Sequence, residues 1–118
     1  MIYIAYLLLG ICAGLLAGAF GVGGGIIIVP ALIVIFKHPS QIAIGTSLMV
    51  IIAASITGTI KHWSLSNIDV PIAIVIAVGA VVGAWLGAPL LENVSDLQAK
   101  RILAVLLGLI AIQLWFSR

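Results

Sequence analysis

Charge is scarce in this sequence. Five Lys or Arg and three Asp or Glu amount to 7% of its 118 residues, against 64% hydrophobic ones. A soluble domain carries roughly a quarter charged residues, so a very apolar soluble domain is set aside. The few acidic residues, Asp69, Glu92 and Asp96, all fall at the ends of hydrophobic stretches. No Asp or Glu lies inside one, and Lys100 and Arg101 stand near the start of the last rather than in a span interior. An intramembrane carboxylate is the usual mark of a proton relay or cation site. Its absence argues against a proton-driven multidrug exporter and against a rotary-ring proteolipid subunit.

Other absences narrow the field further. Cys12 is the sole cysteine, which excludes an intrachain disulfide, a CxxC pair and a cysteine metal cluster. It reads as a small apolar packing residue. His38 and His62 are far apart in sequence, at segment ends, and no metal site is expected from them. The basic residues are scattered, so no nucleic-acid or polybasic lipid-binding patch is expected. There is no nucleophile–base pair and no Walker pattern, and GVGGG is not a GxGxxG following a strand. Neither enzymatic activity nor a cofactor is expected. Alternating strand patterns are missing, which leaves helices rather than a barrel to cross the lipid bilayer. The N-terminus lacks a basic region and its apolar stretch outruns a signal peptide's, so Met1 onward reads as mature chain.

Four hydrophobic blocks remain. They run from Ile2 to Phe36, from about Gln41 to Ile60, from Val70 to Leu91 and from about Leu97 to Phe116. The last three match the ~20 residues a spanning helix needs. The first, about 35 residues long, must tilt steeply, break or fold back. The break point is GAFGVGGGIIIVP, residues 18–30, which holds Gly21, Gly23, Gly24 and Gly25 and closes on Pro30. The expected architecture is therefore an all-α integral membrane protein of about four transmembrane helices. Its first helix is broken near the membrane midplane into Ile2 to about Ala19 and about Gly25 to Phe36. Irregular backbone at that depth is tolerated only where it is buried in protein or lines a cavity. The N-terminus of the second piece would carry unpaired N–H groups and the positive end of a helix dipole, a ready anion site. Glycines let an anion approach that backbone, although they also permit tight helix crossing without any ligand.

Other small residues read as packing. Gly10, Gly14 and Gly18 recur every fourth residue, as do Gly79, Gly83 and Gly87, and such ridges let membrane helices approach closely. The two helices that carry them are candidates to touch, within one chain or between two. The second block carries hydroxyls. At 100° per residue Thr46, Val50, Ala53 and Thr57 share one face, with Ser47, Ala54 and Gly58 beside it. That stripe serves either as helix glue or, beside the broken helix, as part of a site. Asn93 or Ser95 suits the cap of the last helix. Asp96 shows no chemistry. Trp63, Trp85 and Trp115 suit membrane interfaces.

Three stretches resemble a known family. GLLAGAFGVGGGIIIVPALI (14–33) is similar to the first glycine-rich signature of the sulfite exporter TauE/SafE family of membrane permeases. AIGTSLMVIIAASITGTIKH (43–62) resembles its second signature, and VGAVVGAWLGAPL (78–90) the segment after it. The resemblance implies a permease of the cytoplasmic membrane for small anions: sulfite, sulfonates, sulfoacetate or related organic ions. It places Gly21, Gly23, Gly24, Gly25 and Pro30 on the first signature, and Thr46 and Ser47 on the second. The glycines would then bind substrate through N–H groups, Thr46 and Ser47 through hydroxyls, and Pro30 would hold the shape of the short helix.

Members of that family are about twice this long and carry the pattern in two halves, whereas one copy is present here. A homodimer working by alternating access would supply the second half. A non-transporting subunit, half of a split permease and a passive anion channel are the competing readings. If the first block crosses once, the N-terminus, Lys61 and Arg118 share one side and Lys37, Lys100 and Arg101 the other. That balance leaves dimer orientation open.

Overall fold

The computed structural model describes residues 1–117, the Leu91 side chain excepted. Its regular structure is helical: α1 (Ile2–Phe20), α2 (Gly25–Val34), α3 (Ser40–Ser64), α4 (Val70–Gly87) and α5 (Asp96–Phe116), with a 3-10 turn at Ala88–Leu91. Four of these are long and apolar enough to cross a membrane; α2, with ten residues, is not. At 1.5 Å per residue α1 extends ~28 Å and α2 only ~15 Å, half of a ~30 Å hydrocarbon core.

The first block breaks where the glycines stand, and it folds back. Gly21 adopts a left-handed conformation (φ 69°) and its N–H bonds Ala17 O at 2.8 Å, which ends α1. Gly23 and Gly24 are left-handed as well, at φ 73° and 72°. Such backbone favours glycine because a β-carbon would crowd the carbonyl. The chain reverses, and Gly24 comes to rest against Ala13 of α1, a third of the way back down that helix. At the other end of α2, Phe36 stacks on Tyr6 with ring centroids 4.4 Å apart. Tyr6 Oη lies 2.8 Å from His38 Nε2. So α2 is antiparallel to α1 and returns to the face on which Met1 lies. Its N-terminus stays near the midplane, opposite Ile51 at the middle of α3.

This corrects the single-crossing charge count. The N-terminus joins Lys37, Lys100 and Arg101 on one face, called here the N-terminal face. Lys61 lies on the opposite face, and Arg118 lies outside the described residues. The segment boundaries shift too. α2 stops at Val34 rather than Phe36, because the Lys37 turn (φ 59°) draws the Phe36 N–H to Ala31 O and the His38 N–H to Leu32 O. α3 runs on to Ser64, taking in His62 and Lys61, and the Lys61 charge suits a helix C-terminus.

The half-helix α2 is the most enclosed element. Ile28, Val29, Ala31, Leu32 and Ile33 are buried, sheathed by α1 and α3. Leu103 of α5 packs on the same cluster. The tie between α3 and α5 is polar. Ser40, at the start of α3, donates its N–H to Asp96 Oδ1 at 2.9 Å, and its hydroxyl donates to the same oxygen. Ser95 caps α5 in a reciprocal box with Gln98, so two helix N-termini converge on one carboxylate. α4, capped by Asp69, buries none of its residues. A β-carbon placed on Gly10, Gly14, Gly18, Gly79, Gly83 or Gly87 would meet nothing within 4 Å. The two small-residue ridges do not close on each other in this chain; both stand open.

Candidate functional site

The fold-back creates two cavities, one on each side of the glycine turn. The first, about 450 Å³, opens on the face opposite the N-terminus. Its floor is the turn itself, Gly21 and Gly23, and its α1 wall is Ala17, Ala19 and Phe20. Its α3 wall is Ala54, Ser55, Gly58, Thr59 and His62, and Asn67 and Ile68 close it from the α3–α4 loop. Ser55, Thr59 and His62 fall at i, i+4 and i+7, one face of a helix. The second cavity, about 330 Å³, lies toward the N-terminal face between α1, α2 and α3. Leu9, Ile28, Leu32, Ile42 and Val50 make most of its wall, with Tyr6, His38 and Thr46 as its polar side chains.

The expected site residues thus divide among different surroundings. Gly21 and Gly23 line the polar cavity. Gly24 and Gly25 sit behind them as packing surfaces. A β-carbon on Gly24 would come 3.3 Å from the Ala13 carbonyl oxygen, and one on Gly25 would come 3.0 Å from Ile51 Cδ1. Pro30 is inside α2, half-buried. Thr46 lines the other, apolar cavity. Ser47 is buried and donates its hydroxyl to Ile44 O at 2.8 Å. Of the remaining stripe, Thr57 is exposed and bonds back to Ala53 O at 3.1 Å. Glycine turn and Thr46–Ser47 pair are therefore not brought to one cavity.

Ser55, Thr59, His62 and Asn67 take the place beside the turn, and none of them is among the site residues expected from the sequence. Their signal was present as the 55–59–62 spacing. It became distinguishable from the neighbouring 46–50–53–57 face only once the side on which the turn docks was known. His62 is held on both ring nitrogens. Nε2 lies 2.7 Å from the Gly18 carbonyl oxygen, and Nδ1 lies 3.4 Å from Asn67 Nδ2. A carbonyl only accepts, so Nε2 must carry the hydrogen and Nδ1 is left to accept from the Asn67 amide. Gly18 is in the last turn of α1, where carbonyls lack helical partners, and His62 supplies one.

A short helix that returns from the midplane, with its N-terminus behind a glycine turn and a polar cavity in front, is suited to receiving an anion. The comparisons with known proteins agree with a permease architecture. Residues 6–118 match the family described as Sulfite exporter TauE/SafE. The chain is 33% identical to the probable membrane transporter protein YunE of Bacillus subtilis, over 88% of this chain and 38% of that protein. It is 29% identical to a probable membrane transporter protein of Methanocaldococcus jannaschii, over 91% of this chain and 43% of that one. A probable membrane transporter protein of Xylella fastidiosa is 36% identical, over 86% and 38%. The chain thus spans about two fifths of the length of these relatives. No solved structure matches it. With four spanning helices, the glycine-floored cavity and a match over nearly its whole length, the chain is a multi-pass membrane protein that belongs to the sulfite exporter TauE/SafE family.

Proposed function

We propose that this chain is a membrane carrier for a small anion, of the class of sulfite, sulfonates, sulfoacetate or a related organic anion. The observation that carries this reading is the half-helix α2, which meets the glycine turn near the midplane at the floor of a polar cavity. The Gly21 N–H is held by Ala17 O, so the N–H groups that follow it, from Gly23 to Gly25, stabilise the anion together with the positive end of the α2 dipole. Hydroxyls of Ser55 and Thr59, on the α3 wall of the same cavity, add side-chain donors. Thr46 serves the second cavity, on the route to the N-terminal face, and the Ser47 hydroxyl is spent on Ile44 O within α3. Pro30 stiffens α2, since it fixes φ. Two cavities on opposite sides of one short hairpin suit alternating access: a small movement of α2 closes one and opens the other.

One copy of the repeat makes half of such a permease, and a homodimer supplies the other half. The open ridges of α1 and α4 are the surfaces that support this arrangement. Their exposure, with the two-fifths coverage of the relatives, also favours a second reading, in which this unit works only beside a different second half. Uptake of labelled sulfite and small sulfonates into proteoliposomes holding this chain tests both. Saturable uptake that Gly24→Val abolishes while the protein still inserts is the expected result. No uptake from inserted protein, restored by a partner chain, favours the split permease. Uptake that never saturates and shows no counterflow makes it a channel.

A further inference from the structure

Among the described residues, His62 is the one ionisable side chain lining the polar cavity, and the anion cradle leaves it unused. We infer that His62 is the cavity's proton-bearing anion partner, so that anion and proton bind together. The inference rests on the reading of this cavity as the anion path, and it names what that path is coupled to.

The hydrogen bonds set where a proton goes. Nε2–H is committed to the Gly18 carbonyl at 2.7 Å. A proton from solvent therefore adds at Nδ1, the nitrogen that accepts from Asn67 in the neutral ring. The exposed Asn67 amide turns over so that its oxygen accepts from the new Nδ1–H. No covalent bond is made or broken, and the imidazole gains one positive charge at the cavity wall. His62 is in the last turn of α3 and its ring bonds the last turn of α1, so the negative ends of two helix dipoles meet on it. The groups around it are few. The last turn of α1 has no ionisable residue, and Lys61 precedes His62 on α3. From the α3–α4 loop come Asn67 and Asp69, and Asp69 is engaged as the cap of α4 through the Ile72 N–H. No carboxylate in the cavity neutralises a protonated His62, so an entering anion does.

An ethanesulfonate, which stays ionised throughout the range where imidazoles titrate, is the probe. The first measurement is 15N NMR of histidine-labelled protein in lipid nanodiscs, with the His62→Gln protein assigning the signals. Added ethanesulfonate is expected to move proton uptake at His62 to higher pH. The second is ethanesulfonate uptake into proteoliposomes. Wild type is expected to lose uptake several-fold as pH rises from acid to alkaline. His62→Gln, which keeps an N–H for Gly18 but cannot take the charge, is expected to be flat. A His62 signal indifferent to ethanesulfonate, or the same pH profile in both proteins, overturns the inference while wild-type uptake leaves the carrier reading standing. A His62 signal that responds in a protein without uptake supports the site and overturns the carrier.

Discussion

Gly24 and Gly25 are neighbours with different tasks. Gly24 has φ 72°, and its missing β-carbon faces a backbone carbonyl at 3.3 Å. Neither obstacle can yield. The left-handed conformation alone costs a non-glycine residue about 1–2 kcal/mol. Gly25 lies within α2 and faces the tip of Ile51, a side chain that can turn or be shortened. Gly24→Ala should therefore lose substrate uptake and thermal stability whatever stands at residue 51. Gly25→Ala should be milder, and Ile51→Val should restore most of its loss. Uptake and melting temperature of the single and double variants check this. Equal rescue at both positions would show that the turn tolerates a side chain and that the close approach to α1 is not needed.

At the scale of elements, the joints are made by side chains at helix ends. Asp96 joins the starts of α3 and α5 through Ser40, as His62 joins the ends of α1 and α3. Ser40 is 1% exposed, so its donors cannot turn to water when the acceptor is removed. Asp96→Ala should lower the melting temperature in detergent more than Ser40→Ala does. Adding Ser40→Ala to Asp96→Ala should recover part of the loss, because a buried hydroxyl without an acceptor is worse than no hydroxyl. A double variant less stable than Asp96→Ala alone would mean that Ser40 has another partner to turn to.

For the whole molecule, the fold-back decides orientation. It groups the N-terminus with Lys37, Lys100 and Arg101, leaving Lys61 on the opposite face. The positive-inside rule then predicts that the N-terminal face is cytoplasmic and that the polar cavity opens outward. In a Cys12→Ala background, Asn67→Cys should react with an impermeant thiol reagent on intact cells, and Asn93→Cys only after permeabilisation. Labelling of both from outside would indicate dual insertion. The open α4 ridge yields a further outcome. A β-carbon at Gly83 meets nothing within 4 Å in its own chain, so Gly83→Ile should leave the single chain folded and abolish cross-linking of two copies. Unchanged cross-linking would exclude that ridge from the dimer.

The sequence by itself determined the membrane class, the four spans and the place of the break, and it narrowed the last helix cap to Asn93 or Ser95, because each depends on local properties. Apolar run length, three clustered glycines with φ near 70° and a serine three residues ahead of Gln98 act on the few residues around them. The family too was legible, since its signatures are contiguous. Only the tertiary structure decided which way α2 leaves the glycine turn. A left-handed turn stops a helix, but packing of Phe36 on Tyr6 and of Gly24 on Ala13 selects the reversal. From that direction follow the face of α3 beside the turn, hence Ser55, Thr59 and His62 in the polar cavity and Thr46 in the other one. The Ser40–Asp96 joint is of the same kind: its partners are 56 residues apart, and no periodicity brings such residues together before the helices have packed.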